Sequence, residues 1–274
     1  MFRMGSIVVS AAAGIALLVM PAVNASAQVA LPNSMAATGD SITTAFDVDW
    51  SGVLQSTPAD SWSTGTNNSV NSEYHRILAA NSAISGHEHN DAVPGDRMAD
   101  LNGQVAQAAS QGVQYLTVEM GANDLCTSSV GAMTPTATFH SEFQTALSNF
   151  TAADPSAHIF VASIPNIYRL WQDEHNNFTA ELEWNVFGIC HDMLSITATS
   201  AQRQQIVAQE QADNQVLGNV CAEFSQCRFD NGAIYNVSFS SADISNVDYF
   251  HPSVAGQAEL AAVAWSAGYW PSTG

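Results

Sequence analysis

The stretch that decides the fold lies mid-chain, where residues 113–120 read VQYLTVEM and residues 121–124 read GAND. Half of the first eight residues are β-branched or aromatic, which predicts a buried strand, and the glycine that follows predicts its end. A second strand is predicted at Ala157–Ile164 (AHIFVASI), where Pro165 stops it, and a shorter one at Ser34–Thr38.

Segments with helical periodicity lie between the predicted strands. In Thr136–Ala153, large apolar residues recur at intervals of four, four and three, which predicts a helix with one face in the core. Further helices are predicted at Asp96–Gln111, Ser200–Phe224 and Pro252–Trp265. Strands that alternate with helices are typical of βαβ units. We therefore expect an α/β fold, a single three-layer α/β/α domain with a central parallel sheet.

Residues 1–27 have the pattern of a secretory signal peptide. Arg3 precedes an apolar run, Ile7–Val23, and Ala25-Ser26-Ala27 fits the small-residue cleavage rule. An uncleaved membrane anchor is the alternative, since the apolar run is near the lower length limit for spanning a bilayer. Residues 28–274 suit one domain with a sizeable core. Within them, Ser56–Ser72 is rich in small polar residues and is predicted to be a surface loop after the first helix.

The charge of the chain is strongly negative. It has 25 acidic residues and only six basic ones, all arginine, for a formal net charge of −19. This balance argues against nucleic acid as a partner, because phosphates need a basic face, and it disfavours anionic membranes. No stretch after the signal is apolar enough to span a bilayer. We expect a secreted monomer without stable membrane insertion once the signal is cleaved.

Four cysteines follow the predicted signal, and an even number in an exported chain favours two disulfides. Sequence alone allows three pairings. We favour Cys221 with Cys227, which are near neighbours, and Cys126 with Cys190, which would close a long loop. Zinc is the alternative, but the cysteine spacings do not suit it.

Three short motifs supply the parts of acyl-transfer chemistry. Gly39-Asp40-Ser41 offers a nucleophile, and Asp248 lies three residues before His251, so one turn can present an acid and a base together. A serine hydroxyl needs such a base, and the base needs a carboxylate to hold its tautomer. Asn123, directly after the strand at 113–120, is a candidate oxyanion donor.

The chain resembles the SGNH hydrolases, also called the GDSL family of esterases and lipases, over essentially all of residues 28–274. The matching blocks are Gly39-Asp40-Ser41, Val93-Pro94-Gly95, Gly121-Ala122-Asn123-Asp124 and Asp248–His251. The resemblance implies a flavodoxin-like fold and a Ser41–His251–Asp248 triad. It also implies an oxyanion hole built from the backbone N–H groups of Ser41 and Gly95 and the Asn123 side chain. No cofactor or metal is implied.

Further segments resemble the phospholipase B-like branch of the family, namely Asn123–Cys126, Ile164–Asn166, Arg169–Trp171 and His251–Ser253. This likeness implies a carboxylic ester hydrolase of the lipase or lysophospholipase type, acting on small-molecule or lipid esters. A carbohydrate deacetylase on the same fold is the alternative, because the family fixes the reaction better than the substrate. Trp171, Trp184 and Phe187 are candidates for an acyl pocket or for the core.

Other interpretations of the same residues stay open. Ser41 could cap a helix, and Gly86 or Gly103 could replace Gly95 as the oxyanion donor. The polar cluster His87-Glu88-His89 with Asp91 could hold a metal in a metal-dependent hydrolase, although on a loop it more often does not. A catalytically silent glycan-binding module would also keep this fold.

Overall fold

The computed structural model describes residues 1–2, residue 5 and residues 29–271. The predicted signal peptide, residues 1–27, falls outside the described residues apart from three positions at its start, so its role stays a prediction. In residues 29–271, none of the helices combines the length and hydropathy needed to cross a bilayer.

The core of the molecule is a parallel sheet. Its five strands are β1 (Met35–Gly39), β2 (Glu88–Asn90), β3 (Tyr115–Glu119), β4 (His158–Val161) and β5 (Cys227–Phe229). Their order is β2-β1-β3-β4-β5, and every neighbouring pair runs parallel. All residues of β1 and β3 are buried, as expected when helices cover both faces of a sheet. The three strands predicted from sequence are confirmed within a few residues, whereas β2 and β5 were not predicted.

Helices flank the sheet on both sides, which confirms the predicted α/β/α architecture. They are α1 (Glu73–Ala80), α2 (Met98–Gln111), α3 (Ala122–Leu125), α4 (Thr136–Ala153), α5 (Ile167–Glu174), α6 (Phe178–Phe187), α7 (His191–Leu194), α8 (Ser200–Cys221) and α9 (Val254–Ala267). Helices α2, α4 and α8 pack side by side, and α1 contacts α9. The four predicted helices correspond to α2, α4, α8 and α9, and the apolar stripe of α4 is buried in the core.

The prediction of a surface loop at Ser56–Ser72 after the first helix is only partly right, because the segment is irregular and partly exposed but its residues 60–65 are buried. The first α-helix, α1, begins after this segment, at Glu73, and Trp62 within the segment is fully buried. Buried serines are tolerated here because their hydroxyls are paired. Ser63 Oγ lies 2.7 Å from Thr117 Oγ1 in β3, and Ser72 Oγ donates to the Gly65 carbonyl at 2.6 Å.

Both predicted disulfides are present. Cys126 pairs with Cys190 and Cys221 pairs with Cys227. The first bridge joins the end of α3 to the start of α7 across a sequence separation of 64 residues. It therefore fixes the segment after β3, which carries Asn123, to the polypeptide that follows α6.

Candidate active site

The nucleophile turn follows β1 at the carboxyl edge of the sheet, where sites assemble in open α/β folds. Gly39 has φ +152°, and a Cβ there would lie 2.2 Å from the Glu119 carbonyl oxygen, so only glycine fits between β1 and β3. Asp40 Oδ1 accepts a hydrogen bond from the Ile42 N–H at 2.9 Å and closes the turn. Ser41 stands at this turn and is only 9% exposed.

The acid and base lie on a second turn, just before α9. Asp248 Oδ1 accepts hydrogen bonds from the backbone N–H groups of Phe250 (2.9 Å) and His251 (3.1 Å). Tyr249 takes the left-handed φ of +56°, which is costly for an aromatic residue and needs support from its surroundings. That support includes the Trp184 indole, whose Nε1 donates to the Tyr249 carbonyl at 3.1 Å.

The fold brings the two turns together. His251 Nε2 lies 2.9 Å from Ser41 Oγ, and His251 Nδ1 lies 2.5 Å from Asp248 Oδ2. Such a chain can draw the proton from the serine hydroxyl to Nε2 while the carboxylate holds the other ring nitrogen protonated. All three side chains are largely buried. The arrangement has the geometry of an activated serine nucleophile.

Three hydrogen-bond donors surround the same opening. Ser41, Gly95 and Asn123 all line one cavity, and the backbone N–H groups of Ser41 and Gly95 make no hydrogen bond within residues 29–271. Asn123 Nδ2 donates to the Asp96 carbonyl at 3.0 Å and to Asp40 Oδ2 at 3.3 Å. Two unpaired backbone donors beside a serine hydroxyl can stabilise negative charge on a substrate oxygen. To bind the same oxygen, Asn123 Nδ2 has to give up one of its two present hydrogen bonds.

Two buried carboxyl groups lie behind the nucleophile turn. Burial raises the pKa of Asp40 to about 7, against the lowering effects of the Ile42 N–H and of His251. Burial and the nearby Asp40 raise the pKa of Glu119 well above its usual range. Glu119 Oε2 accepts from the Thr43 hydroxyl at 3.3 Å. Burial therefore favours the protonated forms of both carboxyl groups.

A third carboxylate, Asp47, approaches the acid–base turn. Asp47, Asp248 and His251 each offer an atom within 4.8 Å of the others, a spacing that a metal ion could bridge. Asp248 and His251 already bond to each other, however, and Asp47 Oδ1 accepts the Leu54 N–H. Burial raises the pKa of Asp47, and the charge of Asp248 adds to that effect.

The polar cluster at His87–Asp91 proves to be an edge strand rather than a loop, since Glu88–Asn90 forms β2. Among the described residues, its side chains do not form a group of three that could share one metal ion. Asn90 instead supports the nucleophile turn, because its Nδ2 donates to the Thr43 carbonyl at 3.0 Å.

The candidate site opens into a cavity of about 590 Å³. Besides Ser41 and His251, its walls include Trp50, Leu54 and Phe187, and the Cys126–Cys190 bridge. Its surface is mainly apolar. Of the aromatic residues considered for an acyl pocket, Phe187 lines this cavity, whereas Trp184 is fully buried. Trp171 stacks on Tyr168 and His175 elsewhere.

Comparison with known proteins identifies the family. Residues 37–259 match the GDSL-like Lipase/Acylhydrolase family, a match that covers most of the chain. This chain belongs to that family. No curated protein matches it in sequence. The match spans β1 to α9 and therefore includes every residue of the candidate site.

Solved structures share the fold at low sequence identity. A putative GDSL-like lipase from Parabacteroides merdae is 14% identical with a TM-score of 0.56, over 85% of this chain and 94% of that one. An acetylxylan esterase from Geobacillus stearothermophilus, crystallised as a catalytic mutant, is 15% identical with a TM-score of 0.53, over 85% and 93%. The protein TesA is 17% identical with a TM-score of 0.52, over 85% and 97%. At these identities the likeness shows the fold alone.

Sequence reasoning missed the polar residues that hold the nucleophile turn. Gln104 of α2 accepts the Gly39 N–H at 2.8 Å and donates to the Gly39 carbonyl at 2.9 Å. Gln257 of α9 accepts the Trp62 N–H at 2.9 Å and donates to the Ile42 carbonyl at 2.8 Å. Gln104 is one of three glutamines in α2 and Gln257 is the single glutamine of α9, but neither stands in a motif that marks it for this role.

Proposed function

We propose that this protein is an exported serine esterase that hydrolyses carboxylic acyl esters, with lipid-like esters as its substrates. The observation that carries the proposal is the 2.9 Å contact between Ser41 Oγ and His251 Nε2, continued by the 2.5 Å contact from His251 to Asp248. Membership of the GDSL-like Lipase/Acylhydrolase family supports ester hydrolysis as the reaction. The apolar wall of the adjoining cavity supports a hydrophobic acyl group.

In this mechanism Ser41 Oγ attacks the ester carbonyl carbon while His251 Nε2 takes its proton. Asp248 keeps Nδ1 protonated and stabilises the imidazolium. The carbonyl oxygen becomes an oxyanion and is held by the N–H groups of Ser41 and Gly95 and by Asn123 Nδ2. Collapse of this intermediate breaks the ester C–O bond, and His251 gives the proton to the leaving alcohol.

The acyl-enzyme is then hydrolysed by the same groups. His251 Nε2 takes a proton from water, the resulting hydroxide attacks the acyl carbon, and the carboxylic acid leaves as Ser41 recovers its proton. For Asn123 to reach the oxyanion, its 3.3 Å contact with Asp40 is the one we expect to break, because it is longer than the 3.0 Å contact with the Asp96 carbonyl.

Export rests on the signal-peptide pattern of residues 1–27 and on the two disulfides, which persist in oxidising compartments. We further propose that residues 28–274 act as a monomer, without a cofactor.

The test is hydrolysis of a p-nitrophenyl ester series from acetate to palmitate by residues 28–274. Ser41→Ala and His251→Ala should each lower turnover by about four or more orders of magnitude. Ser110→Ala is the matched control, because this exposed serine bonds only within its own helix, to the Gln107 carbonyl. A preference for long chains supports a lipase or lysophospholipase, and an acetate-only preference points to a carbohydrate deacetylase. Near-wild-type turnover in folded Ser41→Ala protein would overturn the mechanism, and no serine-dependent turnover would favour a binding module.

A further inference from the structure

Four large exposed apolar side chains line the cavity that Ser41 also lines, namely Trp50, Val53, Leu54 and Phe187. Within residues 29–271 large exposed apolar side chains occur in only three places: residues 50–54, position 93 beside Pro94, and residues 178–196. The members are Trp50, Val53, Leu54, Val93, Phe178, Leu182, Val186, Phe187 and Ile196. Scattered exposed apolar residues need no explanation, but a contiguous group rimming a cavity marks an interaction surface.

Helix α6 carries the largest part of this group. Phe178, Leu182 and Val186 recur at every fourth position, and their exposed fractions are 78%, 48% and 64%. The inner side of α6 packs through Ala180 and Trp184. The helix is therefore apolar on the side that faces solvent as well as on the side that faces the core, which is unusual for a surface helix.

Residues 50–54 form another part of the exposed apolar surface. Trp50, Val53 and Leu54 line the same cavity as Phe187 of α6, and Trp50 is 65% exposed. Phe187 lines the cavity and follows Val186 on the exposed face of α6, so it joins that face to the cavity wall. The exposed apolar residues of the two segments, Trp50, Val53 and Leu54 with Phe178, Leu182, Val186 and Phe187, are called the apolar rim below.

We propose that the apolar rim docks the enzyme on the surface of an aggregated, uncharged or zwitterionic lipid, so that an ester enters the cavity directly from that surface. The proposal rests on the esterase function proposed above. Apolar side chains exposed on a protein surface can leave water by entering the headgroup boundary of such a lipid surface. Because part of the apolar rim lines the cavity that Ser41 also lines, docking through the rim would bring the lipid surface to the mouth of that cavity.

The charge of the apolar rim favours an uncharged or zwitterionic lipid surface over an anionic membrane and over a second copy of the chain. Segment 46–56 and α6 contain no lysine or arginine and carry four carboxylates, Asp47, Asp49, Glu181 and Glu183. An anionic membrane would be repelled by these groups, since attraction to anionic lipids needs basic residues. A second copy of the chain would bring a further net charge of −19 to the contact, which opposes association.

The test uses Ser41→Ala protein, so that vesicles are bound but not hydrolysed. It should sediment with phosphatidylcholine vesicles, and its tryptophan emission should shift to the blue. Trp50 is the reporter, because four of the other tryptophans, Trp62, Trp184, Trp265 and Trp270, are buried. The half-buried Trp171 stacks on Tyr168 and His175 and does not line the cavity. Adding Trp50→Phe should abolish most of the shift while the protein still sediments.

Phe178→Ser, Leu182→Ser and Val186→Ser together should weaken vesicle binding about a hundredfold, because three apolar side chains no longer leave water. The matched control places three serines on the exposed face of α8, at Gln204, Ala208 and Gln215, and should bind as tightly as the parent. Circular dichroism checks that both triple variants are folded. Vesicles enriched in phosphatidylglycerol should bind more weakly than pure phosphatidylcholine, and added salt should narrow the difference.

The outcomes separate this proposal from the esterase proposal. Protein that hydrolyses soluble p-nitrophenyl butyrate but does not sediment with phosphatidylcholine would overturn the docking proposal and leave the triad intact. Sedimentation without any ester hydrolysis would support docking and contradict the esterase. Tighter binding to phosphatidylglycerol would refute the choice of an uncharged surface. A dimer in sedimentation equilibrium that the rim variant dissociates would assign the apolar rim to a second copy of the chain.

Discussion

Glu73 makes the stability of this protein depend on pH in an unusual direction. The side chain begins α1, is only 1% exposed, and accepts the Tyr115 hydroxyl at 2.7 Å, while its other oxygen has no partner. Burial raises its pKa from 4.5 to about 7, against the lowering effects of Tyr115 and Arg76. The folded protein therefore binds a proton that the unfolded chain has already released between these two values.

The direction of this pH dependence follows from proton linkage. Where the folded state binds more protons than the unfolded state, the free energy of unfolding falls as pH rises. The difference between 4.5 and about 7 corresponds to about 3 kcal/mol from this one residue. Stability from Glu73 is fully present below about pH 4.5 and is lost progressively as pH rises to about 7. Above that pH, the cost of the buried charge is constant.

Glu73→Gln isolates this contribution, because glutamine resembles the protonated acid in shape and can still accept the Tyr115 hydroxyl. Urea unfolding of both proteins should give nearly equal free energies at about pH 4.5, and at about pH 8 the variant should be more stable by about 3 kcal/mol. Equal differences at both pH values would refute the reasoning, as would a variant that is the less stable protein at the higher pH.

Three further predictions concern the site and its supports. Replacing Cys126 and Cys190 together by alanine should cost about 4 kcal/mol of unfolding free energy through loop entropy, measured by urea unfolding under oxidising conditions, and equal stability would contradict it. Asn123→Ala should lower turnover of p-nitrophenyl esters by about two to three orders of magnitude, and an unchanged rate would remove this side chain from the oxyanion hole. Gly256→Ala should lower the melting temperature, since its Cβ would lie 2.0 Å from the Asp243 carbonyl oxygen; an unchanged melting temperature would show that the turn moves freely.

The helices and strands that could be predicted are those with a long apolar repeat or with a glycine or proline at their end. Strand β3 combines β-branched residues with a terminal glycine, and α4 repeats its apolar residues over eighteen positions, so local rules are sufficient for both. Strands β2 and β5 have three residues each and contain Glu88, His89 and Arg228. At the edges of the sheet, strand formation depends on pairing with the neighbouring strand, which leaves no periodic pattern in the local sequence.

The central side chains of the candidate site were predictable because their types and order are chemically restricted. Ser41, Asp248 and His251 are brought within hydrogen-bond reach, as the motifs indicated. Their roles in catalysis await the kinetic tests. The supporting groups were not predictable, because Gln104 and Asp47 act through tertiary contacts with residues distant in sequence. The burial of residues 60–65 depends in the same way on a tertiary contact, the pairing of the Ser63 hydroxyl with Thr117 of β3.

The position of Gln257 near the end of the chain determines when the proposed activity can begin. It holds the nucleophile turn through the Ile42 carbonyl, and it lies in α9, shortly after His251. Both residues follow all five strands in the chain, so Ser41 lacks its base and part of its support while the chain is still being made. Domains gain their early segments first during synthesis. On the proposed mechanism, a nascent chain that has not yet gained His251 and α9 cannot cleave esters, so the order of synthesis delays the activity until the domain is complete.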